Sequence, residues 1–216
     1  MLTHPLLRAT AGNNGGDGLV AARHLKQWGW KPTVVYPKRG RAELFQRLVK
    51  QLEWNEIEVR KDCKVAAGAK GDALVDVVVD CVFGFSFKPE GGVRAPFDTV
   101  LRDMRELGRP IISCDIPSGW HVETGRPSGE DALYVEPSTL VSLTAPKMCA
   151  RYLDGQGVGR DGNGDDEREG KRHYLGGRFV HAALASKFGF DLGSYPALNS
   201  AQIVRIDAGA LASAAL

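Results

Sequence analysis

No charge imbalance runs through this sequence. Its 28 lysines and arginines meet 26 aspartates and glutamates, for a net charge of +2. So nearly neutral a chain lacks the one-signed field that draws nucleic acid or a membrane surface, and neither is expected as a partner. No run approaches the ~18 apolar residues of a membrane-crossing helix. The opening residues, Met1-Leu2-Thr3-His4-Pro5-Leu6-Leu7-Arg8, hold neither the apolar stretch nor the cleavage site of a secretory leader. Cysteine is scarce. Cys63, Cys81, Cys114 and Cys149 form no CxxC pair. Reduced, buried thiols of an intracellular protein are therefore expected, rather than disulfides or a zinc site. Two nucleotide signatures are missing as well: the GxGxxG of dinucleotide-binding turns, and the Gly-Lys-Ser/Thr ending of a P-loop.

What the chain does have is enough apolar material for one sizeable core, at 43% hydrophobic over 216 residues. Val75-Asp76-Val77-Val78-Val79-Asp80-Cys81 is almost wholly β-branched, as a buried parallel strand should be. Residues 32–37, 110–115 and 138–144 read as further strands. Helices are predicted over 19–28, over 43–52 with Leu44, Leu48 and Leu52 on one face, and over 96–107 behind Pro96. Strands alternating with helices of this length predict an α/β fold, a parallel sheet covered on both faces. Residues 155–172, rich in glycine and charge, are expected to form a mobile surface loop within a single domain spanning 1–216.

Ligands of such sheets sit beyond the carboxyl ends of the strands, and three segments qualify. The first is Ala11-Gly12-Asn13-Asn14-Gly15-Gly16-Asp17-Gly18. A glycine-rich turn opening a helix offers backbone N–H groups to an anion, and asparagine oxygens suit a hard cation. Asp17 can serve as the helix N-cap. The second segment follows Asp80 and runs through Gly84-Phe85-Ser86-Phe87-Lys88-Pro89-Glu90. Its two aromatics fit either a core or a wall for a flat ring. The third is Asp115-Ile116-Pro117-Ser118-Gly119-Trp120, with a carboxylate placed for acid–base work or for turn capping. If strands 75–81 and 110–114 are neighbours, Asp80 and Asp115 converge with the glycine segment on one crevice.

Taken together, Gly12 to Gly18, Asp80 to Phe87, Asp115 to Trp120, Thr144-Ala145-Pro146-Lys147 and His173 to Val180 resemble the NAD(P)H-hydrate epimerases. The resemblance runs in order over residues 12–206. It implies a Rossmann-like three-layer αβα fold and an enzyme that interconverts the R and S forms of hydrated NADH and NADPH. It also implies a potassium ion held by Asn14, Asp80 and Ser118. Asn13, Asn14, Gly15, Gly16 and Asp17, and then Gly84, Phe85, Ser86, Phe87, Lys88, Pro89 and Glu90, would line the nucleotide. Asp115 would contact substrate and act as the general acid and base. The implied partners are a separate ATP-dependent dehydratase that consumes the S form and a second copy in a homodimer. The implied compartment is mitochondrial or cytoplasmic.

The resemblance further implies a strand that leads into the glycine segment. Here only residues 1–11 precede it, and Leu2-Thr3-His4-Pro5-Leu6-Leu7-Arg8-Ala9-Thr10-Ala11 makes a poor strand. The expectation is an N-terminally truncated chain whose sheet lacks an inner strand. A non-catalytic interaction module on the same fold is the alternative reading. A dehydrogenase is disfavoured, because Tyr36-Pro37-Lys38 offers no acidic residue for a ribose.

Overall fold

The computed structural model describes residues 4–9, 12–61, 75–129, 131–153, 171–177, 180–189 and 203–206. Among these, the chain runs β1 (Pro5–Ala9), α1 (Asn13–Gln27), β2 (Thr33–Val35), α2 (Glu43–Trp54), β3 (Glu58–Arg60), β4 (Val77–Cys81), α3 (Phe97–Glu106), β5 (Ile111–Cys114), β6 (Thr139–Leu143), β7 (Arg172–Gly176), α4 (Ala182–Phe188) and β8 (Val204–Ile206). The strands form one sheet in the order β3-β2-β1-β4-β5-β6-β7-β8. Every neighbouring pair is parallel except β7 with β8. This is the mostly parallel sheet with flanking helices that the alternation of segments predicted, and the Rossmann-like αβα fold that the resemblance implied.

Strand periodicity sorts the core into two layers. Val79 packs against a cluster of Leu7, Val34 and Tyr36 with Leu19 and Ala22 of α1 and Val49 and Leu52 of α2. Its neighbour Val78 belongs instead to a cluster with Leu101 and Met104 of α3, Ile111 and Val135. Successive side chains of a strand point to opposite faces, so α1 and α2 cover one face and α3 the other. Leu7 stands in register with Val34 on one side and Val79 on the other, which puts a continuous apolar row beneath α1.

The inner strand expected to be missing is present. Pro5–Ala9 lies between β2 and β4 and pairs with β4 over its whole length, from Pro5 opposite Val77 to Ala9 opposite Cys81. Proline is tolerated at the first residue of a strand. Leu6 and Leu7 are both buried. A segment with so few β-branched residues reads poorly alone, but here ladders on both sides hold it, and strand propensity yields to that context.

Two other expectations change. Helix α1 begins at Asn13, six residues before its apolar run, so the glycine-rich segment is helix rather than a turn before it. Gly12, not Asp17, is its N-cap. Glycine costs ~1 kcal/mol inside a helix relative to alanine. Packing explains one of these glycines: a Cβ on Gly16 would stand 3.2 Å from the ring of Phe45. The expected loop at 155–172 lies outside the described residues up to 170. Lys171 pairs with Glu136, and Arg172 already belongs to β7. Cys63, Arg178 and Phe179 also fall outside the described residues.

Candidate active site

β1, β4 and β5 lie against α1, and the chain leaving the carboxyl end of β4 meets its first turn at Asn14. Gly16 N–H is the first amide to enter the helical ladder, bonding Gly12 O at 3.0 Å. The amides of Asn13, Asn14 and Gly15 therefore lack intrahelical partners and crown the positive helix end. Asn14, Gly15 and Gly16 are buried there, and Asn13 and Asp17 are exposed.

Asp80, near the end of β4, is fully buried. Four donors converge on its carboxylate. Ser118 Oγ–H reaches Oδ1 at 2.5 Å, and Val82 N–H reaches the same oxygen at 3.2 Å. Ser113 Oγ–H and Ser118 N–H reach Oδ2 at 2.8 and 2.9 Å. Burial pushes the Asp80 pKa up, and the bonds from Ser118, Ser113 and Val82 pull against that rise. Among the described residues no lysine or arginine pairs with it. A buried carboxylate without a countercharge is costly, and the four donors offset part of that cost.

One peptide ties this carboxylate to α1. Phe83 N–H donates to Ser118 Oγ at 2.8 Å, and Asn14 Nδ2 donates to Phe83 O at 2.6 Å. Asn14 Oδ1 is then left buried without a hydrogen-bond partner among the described residues. The next residue is closely packed, since a Cβ on Gly84 would stand 3.1 Å from Asn14 Cβ and push it aside by a few tenths of an ångström. Asn14, Asp80 and Ser118 are thus joined in one network, and it presents an orphaned amide oxygen.

Asp115 caps the next strand. Its φ is 66°, the left-handed region rarely used by residues with a Cβ, and its N–H bonds Val141 O at 2.8 Å. Such strain gathers at functional sites. Two donors fall on Oδ1: Leu143 N–H at 3.1 Å and the ammonium of Lys147. Among the described residues Oδ2 receives none. Lys147 also donates to Leu143 O at 2.7 Å, and both charged side chains are mostly buried. Asp17 faces the same space. Loss of water around it, and then the charge of Asp115, hold its carboxyl above the usual range.

The segment after β4 splits in character. Phe87 stacks on Phe83 at 4.2 Å between centroids, nearly parallel at 9°, and Phe83 meets Phe97 edge-on. Phe85 is 68% exposed. Ser86, Lys88 and Glu90 are exposed, while Gly84 and Pro89 are half-buried. Glu90 approaches His121 at 3.9 Å, a second tie between this segment and the loop after β5 besides that of Phe83 with Ser118.

Lys147 is the residue to which sequence reasoning gave no role. Its signal was a lysine just beyond β6, the strand beside the one that ends at Asp115. The structure brings Asn14, Asp80 and Ser118 together, and separately Asp115, Lys147 and the face of Asp17.

Comparisons with known proteins place the chain in a family. Residues 4–149 match the family described as YjeF-related protein N-terminus. A protein of Fusarium vanettenii named NAD(P)H-hydrate epimerase is 41% identical over 94% of this chain and 75% of its own length. One of the same name from Neurospora crassa is 42% identical over 93% of this chain and 75% of its own. The crystal structure of a yeast protein, YNL200c, superposes with a TM-score of 0.74 at 35% identity, covering 95% of this chain and 78% of that one. With a matched family over most of its length and relatives this similar, the chain belongs to the YjeF-related N-terminal family, that of the NAD(P)H-hydrate epimerases.

Proposed function

We propose that this protein interconverts the R and S forms of hydrated NADH and NADPH, with the Asp115–Lys147 pair as its proton carrier. The relatives' names support the reaction. The observation that carries the residue assignment is Asp115, fixed in a left-handed conformation with two donors on Oδ1 and Oδ2 left for substrate.

The substrate carries a hydroxyl on C6 of its reduced nicotinamide ring, beside the ring nitrogen. The Asp115–Lys147 pair passes one proton to that hydroxyl, and the C–O bond breaks with loss of water. The nitrogen lone pair stabilises the flat cation. Water returns from the opposite face and gives its proton back to the pair. General acid–base catalysis of this kind contributes ~10²–10⁴-fold. Phe85, exposed beside the site, can cover the cation. The unpaired amides of Asn13, Asn14 and Gly15 suit the phosphates. The segment from Gly84 through Ser86, Phe87, Lys88, Pro89 and Glu90 flanks the rest of the nucleotide.

A potassium ion fits Asn14, Asp80 and Ser118. The orphaned Asn14 Oδ1 and the uncompensated Asp80 are what such an ion would satisfy. Among the described residues no three His, Cys, Asp or Glu side chains gather as a metal group. One carboxylate with neutral oxygens suits a hard cation better than a transition metal. Bound there, it would supply a fixed positive charge beside the anion-binding turn.

The family likeness also supports a separate ATP-dependent dehydratase as the consumer of the S form, a homodimer, and work in mitochondria or cytoplasm. Purified protein mixed with both hydrates, potassium and excess dehydratase should consume the R form faster than the uncatalysed rate. Asp115→Asn should abolish the gain. An Asp115→Asn enzyme that matches the parent would remove Asp115 from the mechanism. An inert parent that melts cooperatively would favour the interaction module.

A further inference from the structure

Two thiols face each other beneath this site, and the acid–base chemistry uses neither. β4 ends at Cys81 and β5 at Cys114. The ladder between them pairs Val79 with Ile112 and Asp80 with Ser113, so Cys81 and Cys114 are next in the same register. Alternation turns both away from Asp80 and Ser113, onto the face that α1 covers. There the two side chains stand side by side across the ladder. Both are free thiols, Cys81 buried and Cys114 half-buried.

Neighbouring strands lie ~4.8 Å apart, which falls within the ~4.4–6.8 Å between Cα atoms that a disulfide spans. Closing the bond asks mainly for the Cβ atoms to draw together, to ~3.8 Å. That small movement falls at a sensitive place. Asp80 precedes Cys81, and its bond from Val82 N–H arches over Cys81. Asp115 follows Cys114 directly, in its strained conformation.

We propose that Cys81 and Cys114 form a reversible disulfide under hydroperoxide, and that this bond switches the site off by displacing Asp80 and Asp115. The half-buried Cys114 reacts first. Its sulfur attacks one peroxide oxygen, the O–O bond breaks, and the departing hydroxide takes up the thiol proton as water. This leaves a sulfenic acid on Cys114. The Cys81 sulfur then attacks the Cys114 sulfur, the S–O bond breaks, and the hydroxyl leaves with the Cys81 proton as a second water. Two thiols and one peroxide give one disulfide and two waters. The two sulfurs lose two electrons, and the peroxide oxygens gain them. A dithiol reductant reverses the bond.

The covalent part of this proposal stands without the enzyme assignment, while the switch rests on the proposed reaction. The test treats the reduced full chain with hydrogen peroxide, alkylates the remaining thiols under denaturing conditions, and maps peptides by mass. The expected product is a cross-link between the Cys81 and Cys114 peptides, lighter by two hydrogens and cleaved by dithiothreitol. Turnover of the R hydrate should fall at least fivefold in step with the cross-link and return on reduction. Cys114→Ser and Cys81→Ala should both lose the cross-link and resist peroxide, and Cys149→Ser should behave as the parent. Thermal melts of the reduced variants separate loss of fold from loss of the bond. Free Cys81 and Cys114 after treatment, a Cys114 sulfinic acid without a cross-link, or a bond through Cys63 or Cys149 would overturn the proposal. So would full turnover by cross-linked protein. If the reduced parent turns over neither hydrate, the enzyme reading fails and the switch with it, whatever the cross-link shows.

Discussion

Replacing His173 with glutamine should change how stability responds to acid. His173, on β7, is buried. Its Nε2 meets Ser142 Oγ at 2.8 Å, and its Nδ1 has no hydrogen-bond partner among the described residues. Loss of water holds its pKa down at about 4, against an ordinary 6.5. An added proton would put an N–H where nothing accepts it. The folded state therefore resists protonation while the unfolded chain takes the proton up near pH 6.5. Its contribution to stability is whole above pH 6.5, is lost as pH falls toward 4, and changes no further below that. A gap of ~2.5 units at ~1.36 kcal/mol each comes to about 3 kcal/mol. Asp17 and Asp80 act in the opposite sense, since their carboxyls are raised and their protonation favours the folded state. A raw pH profile would blend these effects, so the useful quantity is the difference between parent and His173→Gln. Glutamine keeps a polar end near Ser142 and does not titrate. Urea denaturation of both proteins from pH 8 to pH 4 should show a difference that is flat above about pH 7 and then falls by about 3 kcal/mol against the parent. A difference that stays constant across the range would refute the reasoning.

Removing the ammonium in Lys147→Met should lower kcat by ~10²-fold or more with little change in KM, read in the dehydratase-coupled assay. An unchanged kcat would leave Asp115 to work alone. Melting temperature should rise when potassium chloride replaces lithium chloride at equal ionic strength, because an ion bound only by the folded state stabilises it. Asp80→Asn should lose that response. Gly119→Ala should destabilise by ~3 kcal/mol or more, because φ is +92° and the added Cβ would sit 2.5 Å from Leu133 O, a backbone atom that cannot swing aside. Denaturant midpoints of variant and parent measure that loss.

The parts of the fold legible in the sequence are those whose own composition fixes them. β4 is a β-branched run, and α2 and α3 carry apolar stripes at helical spacing. β1 escaped because two leucines and a proline say little until β2 and β4 supply ladders on both sides. The first turn of α1 escaped because glycines argue against a helix, and only contacts such as Gly16 with Phe45 show why they stand there. β3 and β8 are three residues each, too short for a period to show. In the site, Asp80 and Asp115 could be placed on strand ends from pattern alone, while the pairing of β4 with β5 makes those ends neighbours. Lys147 could not, because its contact with Asp115 spans 32 residues and depends on β5 and β6 lying side by side.

The peptide of Phe83 has a bearing on descent as well as on shape. Its N–H is committed to Ser118 and its carbonyl to Asn14, and a Cβ on the residue after it would crowd Asn14. Three distant stretches of chain therefore share a single backbone unit, and none can drift alone without orphaning a buried group in another. In lineages of this family, Asn14, Gly84 and Ser118 should be retained or lost as a set. A branch that has exchanged all three would mark a site without the cation proposed above.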